Sequence, residues 1–289
     1  MSIRDAAAIR DYHELDFPGV DDRNAIEKRL SDIESPLAEA LAHALQNGIA
    51  SPEIHCSIIE LVALLRVRAP AFKAGIDAFL QNVVRSTGKM LEQRGELPPP
   101  PPGLEDVLRI DNLSVEISNW KILEYMFRIA SDRRLFDILT AMKPTMLRAP
   151  EGTFFLTCDQ PVAIFHPIAT PTDDYGVGLV DLATEVSVPL SATALLHLSW
   201  RIKPDSDLDK GDRLATTDEM VEFNRRTVVM ASSLVFAPEP SQVAIETTTR
   251  HSHCSAGVDL DVLEGSGKTL HLARFRPVMR PDRYGDQPS

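Results

Sequence analysis

Phe154-Phe155-Leu156-Thr157-Cys158-Asp159-Gln160-Pro161-Val162-Ala163-Ile164-Phe165 is the stretch on which the fold turns. An apolar run of β character enters a polar turn at Cys158-Asp159-Gln160-Pro161 and leaves as a second apolar run. Upstream the periodicity is almost wholly helical; downstream it is mixed. Immediately before the stretch, Thr145 to Ala149 reads as a strand and Pro150-Glu151-Gly152 as a tight connection, with Thr153 to Thr157 as the partner strand. An aspartate between two buried strands is held rigidly, so Asp159 is the first residue to weigh for chemistry.

Working back towards the N-terminus, residues 1–20 show no period. A helix starts near Asp21 or Asp22, with Ile26, Leu30, Ile33, Leu37, Leu41 and Ala44 on one stripe. Pro36 lies inside that stripe and is expected to kink or divide it. Asn47-Gly48 is a stop, and Ser51-Pro52-Glu53 supplies cap, first-turn proline and dipole-favouring acid for a second helix. A third carries Phe72, Ile76, Phe79, Leu80, Val83 and Val84 and ends near Arg94-Gly95. Pro98 to Pro102 is a stiff run suited to a linker, an exposed loop or a polyproline II ligand. Helical spacing resumes from Asn112 or Ser114 through Ile129, and again after Ser131 or Asp132, with Pro144 closing the last helix.

Towards the C-terminus, Pro167 to Gly178 is a polar loop, and Glu185–Pro189 and Ala194–Trp200 are strand candidates. Thr217-Asp218-Glu219 caps a late helix, Leu234–Ala237 is a short strand before Pro238, and Val258–Leu263 with Lys268–Phe275 suits a hairpin. The expected organisation is an N-terminal extension over 1–20, one α+β domain over 21–250 and a C-terminal extension over 251–289. Within that domain a helical part, 21–143, precedes a sheet part, 144–250.

The totals bound the function. In 289 residues, 44% hydrophobic and 25% charged is ordinary for a soluble globular chain able to bury a core. A net charge of -12 disfavours nucleic acid and anionic membranes as partners, and the apolar stretch Ile54–Leu65 is too short to span a bilayer. Charges at Arg4, Asp5, Arg10 and Asp11 stand where a signal peptide needs its apolar core. Cys56, Cys158 and Cys254 are odd in number and widely spaced, which points to a reducing compartment; a cytoplasmic protein is expected.

Several segments together resemble the bacterial family called domain of unknown function 4238: Ile26–Ser35, Arg68-Ala69-Pro70, Phe154–Val162, Val186–Ser191 and Glu222–Ala231 with Asn224-Arg225-Arg226-Thr227. Phe155-Leu156-Thr157-Cys158-Asp159-Gln160-Pro161-Val162 is similar to the family's Phe-x-Thr-Ser-Asp-x-Pro-Val pattern, with Cys158 in place of the serine. The His-His-x-Val-Pro-Arg-like segment with which members usually open has no counterpart, Tyr12-His13 being too little to stand for it. Either the reading frame begins late or this branch lost the segment. The resemblance implies no established activity, and it constrains fold more than function.

Two functions stay open on the residues themselves. In one, Asp159 is a general base or metal ligand partnered by Glu185 or Asp181, the centre of a hydrolase of phosphoesterase or nuclease type. In the other, Asp159 caps its own turn by accepting backbone N–H bonds, and the chain is a binding protein that meets a protein partner through a helical face or the proline run. Cys158 with His166 or His197 suits a nucleophile and base, but a cysteine between buried strands is usually inert packing. Arg68, Asn224 and Arg225 suit an anionic ligand or internal salt bridges. His251, His253 and Cys254 do not make a closed zinc set, so no metal and no cofactor are expected. Glu264-Gly265-Ser266-Gly267-Lys268-Thr269 lacks the spacer of a phosphate loop. The fold expected is an N-terminal helical half packed against a mostly antiparallel or mixed sheet, with a late helix and a C-terminal hairpin.

Overall fold

Strand β1 (Lys143–Arg148) lies inside a five-stranded sheet formed with β3 (Ala163–Phe165), β4 (Glu185–Ser191), β5 (Ala194–Ser199) and β6 (Asp212–Leu214). The computed structural model describes residues 12–15, 19, 21–166, 178–200, 211–251, 254–265 and 268–279. The strand order is β3-β4-β5-β1-β6; β6 runs parallel to β1, and the other pairings are antiparallel. The sheet is therefore mixed, and the architecture is α+β.

Alternation along the strands gives the sheet two different faces. In register, Met146 stands opposite Leu196 and Leu196 opposite Val188, while Val186 stands opposite Leu198. These residues form one core with Ala44, Ile58, Ile59, Val62, Leu139 and Met142. Those partners come from α1 (Ala25–Asn47), α2 (Pro52–Arg68), α5 (Arg133–Ala141) and the residue just after α5. The outer helical layer is closed by α3 (Pro70–Gln93) and α4 (Asn119–Ala130), through Phe72, Ile76 and Leu80 against Ile122, Leu123 and Met126. The opposite face carries Leu147 and Leu195, which pack with Phe155, Met220 and Phe223; the last two lie on α6 (Thr217–Met230). The sheet is thus covered on both faces.

Local chemistry explains the helix ends. Ser51 caps α2 by accepting the Ile54 amide at 3.3 Å, and Pro52 takes the first turn, where a missing N–H loses nothing. Gly48 ends α1 at φ +71°, its N–H donating to Ala44 C=O at 2.9 Å. Arg148 reaches back to that end, donating to Leu45 C=O at 2.6 Å and pairing with Asp212 at 2.6 Å. A β1 side chain therefore ties the end of α1 to strand β6.

Four expectations change. Pro36 does not divide α1, which runs unbroken; the residue is exposed, so water can satisfy the carbonyl that its missing N–H leaves. Thr153 to Thr157 is not the partner of β1, whose neighbours are β5 and β6. Instead β2 (Thr157–Cys158) pairs with β7 (Val235–Phe236) in a small separate sheet. Helix α4 begins at Asn119, preceded by a 3-10 turn over Ile110–Asn112, and Pro144 falls within β1 rather than ending a helix. Beyond α7 (Gln242–His251), β8 (Cys254–Gly265) and β9 (Lys268–Met279) form the expected hairpin, with Val258 opposite Phe275. The 167–177 part of the expected polar loop lies outside the described residues. No single helix among the described residues is long and apolar enough to cross a membrane.

Candidate functional site

Helix α6 organises the site, and its start is chemically fixed. Thr216 accepts the Glu219 amide at 3.2 Å while the Glu219 carboxylate accepts the Thr216 amide at 2.9 Å, a reciprocal capping box. Arg213 clasps the same carboxylate at 2.6 Å and 2.9 Å. One turn on, Asn224 acts as a backbone clamp: its Oδ1 accepts Leu156 N–H at 2.8 Å and its Nδ2 donates to Phe154 C=O at 3.1 Å. The apolar run before the central turn is thereby stitched to α6 without belonging to the sheet.

Asp159 holds the other end of α6. Its Oδ1 accepts the Ser232 amide at 2.7 Å, and its Oδ2 accepts the Ser233 and Leu234 amides at 2.7 Å and 3.2 Å. Its own amide donates to Leu234 C=O at 3.2 Å. The carboxylate does cap backbone N–H groups, but those of the segment after α6 rather than of its own turn. Cys158 is buried beside it, its Sγ 3.1 Å from Gln160 C=O. Gln160 Nε2 is buried without a hydrogen-bond partner among the described residues.

Between these ends lies a buried polar row. Ser187 stands opposite Ala163 on β3 and His197 on β5, and His197 opposite Thr145 on β1; all four residues are buried. The next row along places Glu185 opposite Phe165 and Ser199. Arg226 descends onto this face from α6, donating Nη1 to Glu185 Oε2 at 2.7 Å and Nε to Glu222 Oε1 at 2.9 Å. Its guanidinium carbon is 3.9 Å from the Phe165 ring centre and 4.9 Å from that of Phe223, a cation held between two aromatic faces. Arg225 forks onto Glu222 at 2.7 Å through both Nε and Nη2. His197 Nε2 is 3.4 Å from Glu185 Oε2, an ion-pair separation without hydrogen-bond alignment, and its ring lies 5.3 Å from that of Phe223.

The charges follow from these partners. Burial pushes the Glu185 carboxyl up, but His197 and Arg226 outweigh it and hold the group down at about 2. Burial likewise raises Glu222, and the two guanidinium partners bring it below the usual carboxylate range. The Glu222 hydrogen bonds raise Arg225 in return. Glu185, Arg226, Glu222 and Arg225 form a closed charge network in which each carboxylate is ionised and met.

The candidate residues therefore divide into four places. Asp159, Cys158, Asn224 and Phe154–Leu156 form one junction; Glu185, Arg225 and Arg226 form the charge network; Arg68 lies elsewhere, bonded to Glu34 in the helical half. His166 is 3.4 Å from Asp181, outside both clusters. Among the described residues no group of three His, Cys, Asp or Glu side chains is placed to hold a metal, and His253 lies outside them. One cluster had no signal in the periodicity. Tyr12 donates to Arg68 C=O at 3.3 Å, Lys73 donates to Tyr12 C=O at 2.7 Å, and His13 Nδ1 is 2.5 Å from Glu27 Oε1. Residues 12–15 are thus bonded into the helical half, and burial, helped by Arg68 and Lys73, lowers His13 against the pull of Glu27.

Four of the segments that carry the resemblance to the family meet in two pairs. Arg68 pairs with Glu34, joining two of them, and Phe154–Asp159 meets Asn224 and the chain just past Ala231. No curated protein and no solved structure matches the chain. The family model described as "Protein of unknown function (DUF4238)" matches residues 1–241, more than half of the sequence, and the chain belongs to that family.

Proposed function

We propose that this chain is a binding or interaction protein, and that the junction around Asp159 is the lock that shapes it rather than a hydrolytic centre. The observation that supports this reading is the state of the Asp159 carboxylate, whose two oxygens accept three backbone amides. A general base needs a lone pair directed at a substrate proton, and a metal ligand needs one directed at the ion. Glu185, the proposed second carboxylate, is engaged by Arg226 within a buried network. Held at about 2, it is a poor proton acceptor near neutral pH. Arg68 and His166 stand with partners of their own.

The test is an assay of the purified chain against p-nitrophenyl phosphate and bis-p-nitrophenyl phosphate, alone and with added divalent metal. The expected result is no turnover that Asp159→Asn or Glu185→Gln removes. Hydrolysis by the wild type that disappears in Asp159→Asn, at a temperature where the variant is folded, overturns the reading in favour of a phosphoesterase.

A further inference from the structure

The connection between α3 and α4 carries the chain's stiffest sequence, Leu97-Pro98-Pro99-Pro100-Pro101-Pro102-Gly103. Pro98 to Pro102 are all exposed. Five successive prolines fix φ near −65°, exclude helix from each residue that precedes another proline and remove every amide donor, which leaves extended polyproline II. Such a segment enters a complex with little conformational freedom left to lose.

The ends of the connection are fastened. Gly95, at φ +67°, closes α3 with its amide on Glu92 C=O at 3.0 Å, and Glu96 N–H donates to Leu91 C=O at 3.0 Å. After the run, Leu104 N–H donates to Pro101 C=O at 3.1 Å and turns the chain. On the return, Ile110 packs against Gly88, where an added Cβ would come within 3.0 Å of the Ile110 side chain. Lys89 pairs with Asp111 at 2.5 Å, and Asn112 Nδ2 donates to Asp106 C=O at 2.5 Å. A loop pinned on both sides holds its proline run outward. Leu104, Val107, Leu108 and Leu113 of the same connection are exposed large apolar side chains, beyond what a solvated linker needs. The charges nearest the run are acidic: Glu96 before it, and Glu105 and Asp106 after it.

We propose that Leu97–Pro102 is a ligand for a protein domain whose groove is lined by aromatic side chains and rimmed by lysine or arginine. This rests on the reading of the chain as a binding protein and names the partner's chemistry. Proline rings stack on the aromatic walls, the run's carbonyls accept from donors on the groove, and the acidic flanks meet the basic rim.

The test uses the full chain and isolated SH3, WW and EVH1 domains as probes, chosen to include basic-rimmed grooves, with binding read by titration calorimetry. Wild type is expected to bind a basic-rimmed domain, and the variant combining Pro99→Ala, Pro100→Ala and Pro101→Ala to bind at least about tenfold more weakly. A second variant, Glu96→Lys with Asp106→Lys, keeps the prolines and the Glu105 bond to the Gly103 amide, and is expected to weaken binding and its salt dependence. Thermal unfolding of both should match wild type, since the run is exposed. No binding by any probe, or equal binding by wild type and the proline variant, overturns the proposal. So does binding that responds only to the charge reversals. None of these outcomes alters the phosphoester assay, so a failure here leaves the wider reading standing on its own test.

Discussion

Asp159 and Ser232 are 73 positions apart in the chain, and the Asp159 Oδ1 accepts the Ser232 amide at 2.7 Å. The second oxygen takes Ser233 and Leu234, so both sides of the carboxylate face donors. A local turn cap would tolerate Asp159→Asn, because one acceptor suffices. Here the asparagine must point its NH2 at an amide donor on one side. Both Asp159→Asn and Asp159→Ala are therefore expected to lower stability by about 1–3 kcal/mol. Urea unfolding decides it: an asparagine variant within about 0.5 kcal/mol of wild type would restore the local-cap account.

Acid should weaken the Glu185 network. The folded carboxyl lies at about 2 against an ordinary value of 4.5, so the unfolded state binds a proton more readily. The stabilisation is present above the unfolded value and is lost as pH falls from about 5 towards 2, with a size on the order of 3 kcal/mol. In Glu185→Gln, Arg226 loses one of its two carboxylate partners, and the variant should be less stable at neutral pH. Its disadvantage should shrink as pH falls through that window. A gap between wild type and variant that stays constant from pH 7 to about 3 would sink this assignment.

What could be read from the sequence was local. The start of α6, with its cap one residue earlier at Thr216 than the expected Thr217, the stop at Gly48, the cap of α2 and the strands of the β4–β5 hairpin each follow from neighbouring residues. What escaped depends on distant partners. Phe154–Leu156 has β character, yet its polar partners are the Ala192 carbonyl in the β4–β5 turn and an asparagine side chain 68 and 70 positions away. Strand β6 has only three residues, with Asp212 and Leu214 exposed, so no apolar alternation marks it. Helix α7 buries no residue. Arg226 stood in view beside Asn224 and Arg225, but only the pairing of α6 with the polar face of the sheet makes it the centre of the network.

Asn224 offers a cleaner probe of the junction than Asp159, because its two bonds differ in kind. Asn224→Asp keeps the acceptor for Leu156 N–H but turns an oxygen towards Phe154 C=O, replacing a bond by repulsion. It should destabilise by about 1–3 kcal/mol, as much as Asn224→Ala or more. The loss in Asn224→Asp should ease in mild acid, where the new carboxyl can donate a proton to Phe154 C=O. An aspartate variant as stable as wild type at neutral pH would mean that the clamp contributes nothing.

Gly48 tests how tightly the end of α1 is seated on the sheet. Its φ of +71° belongs to the region that L side chains rarely adopt, and a Cβ there would stand 3.1 Å from Asp212 Oδ2. The Asp212 carboxylate cannot easily retreat, since Arg148 holds it at 2.6 Å while also donating to Leu45 C=O. Gly48→Ala therefore meets backbone strain and a side chain fixed by a salt bridge together, and should lower stability by about 1–3 kcal/mol. Combining it with Asp212→Ala separates the two effects. The double variant removes the close approach and keeps the strain, so the alanine at 48 should then cost only the backbone part, about 1 kcal/mol. Strictly additive losses in this cycle would show that the α1 end does not press on Asp212, and that only the left-handed backbone demands glycine.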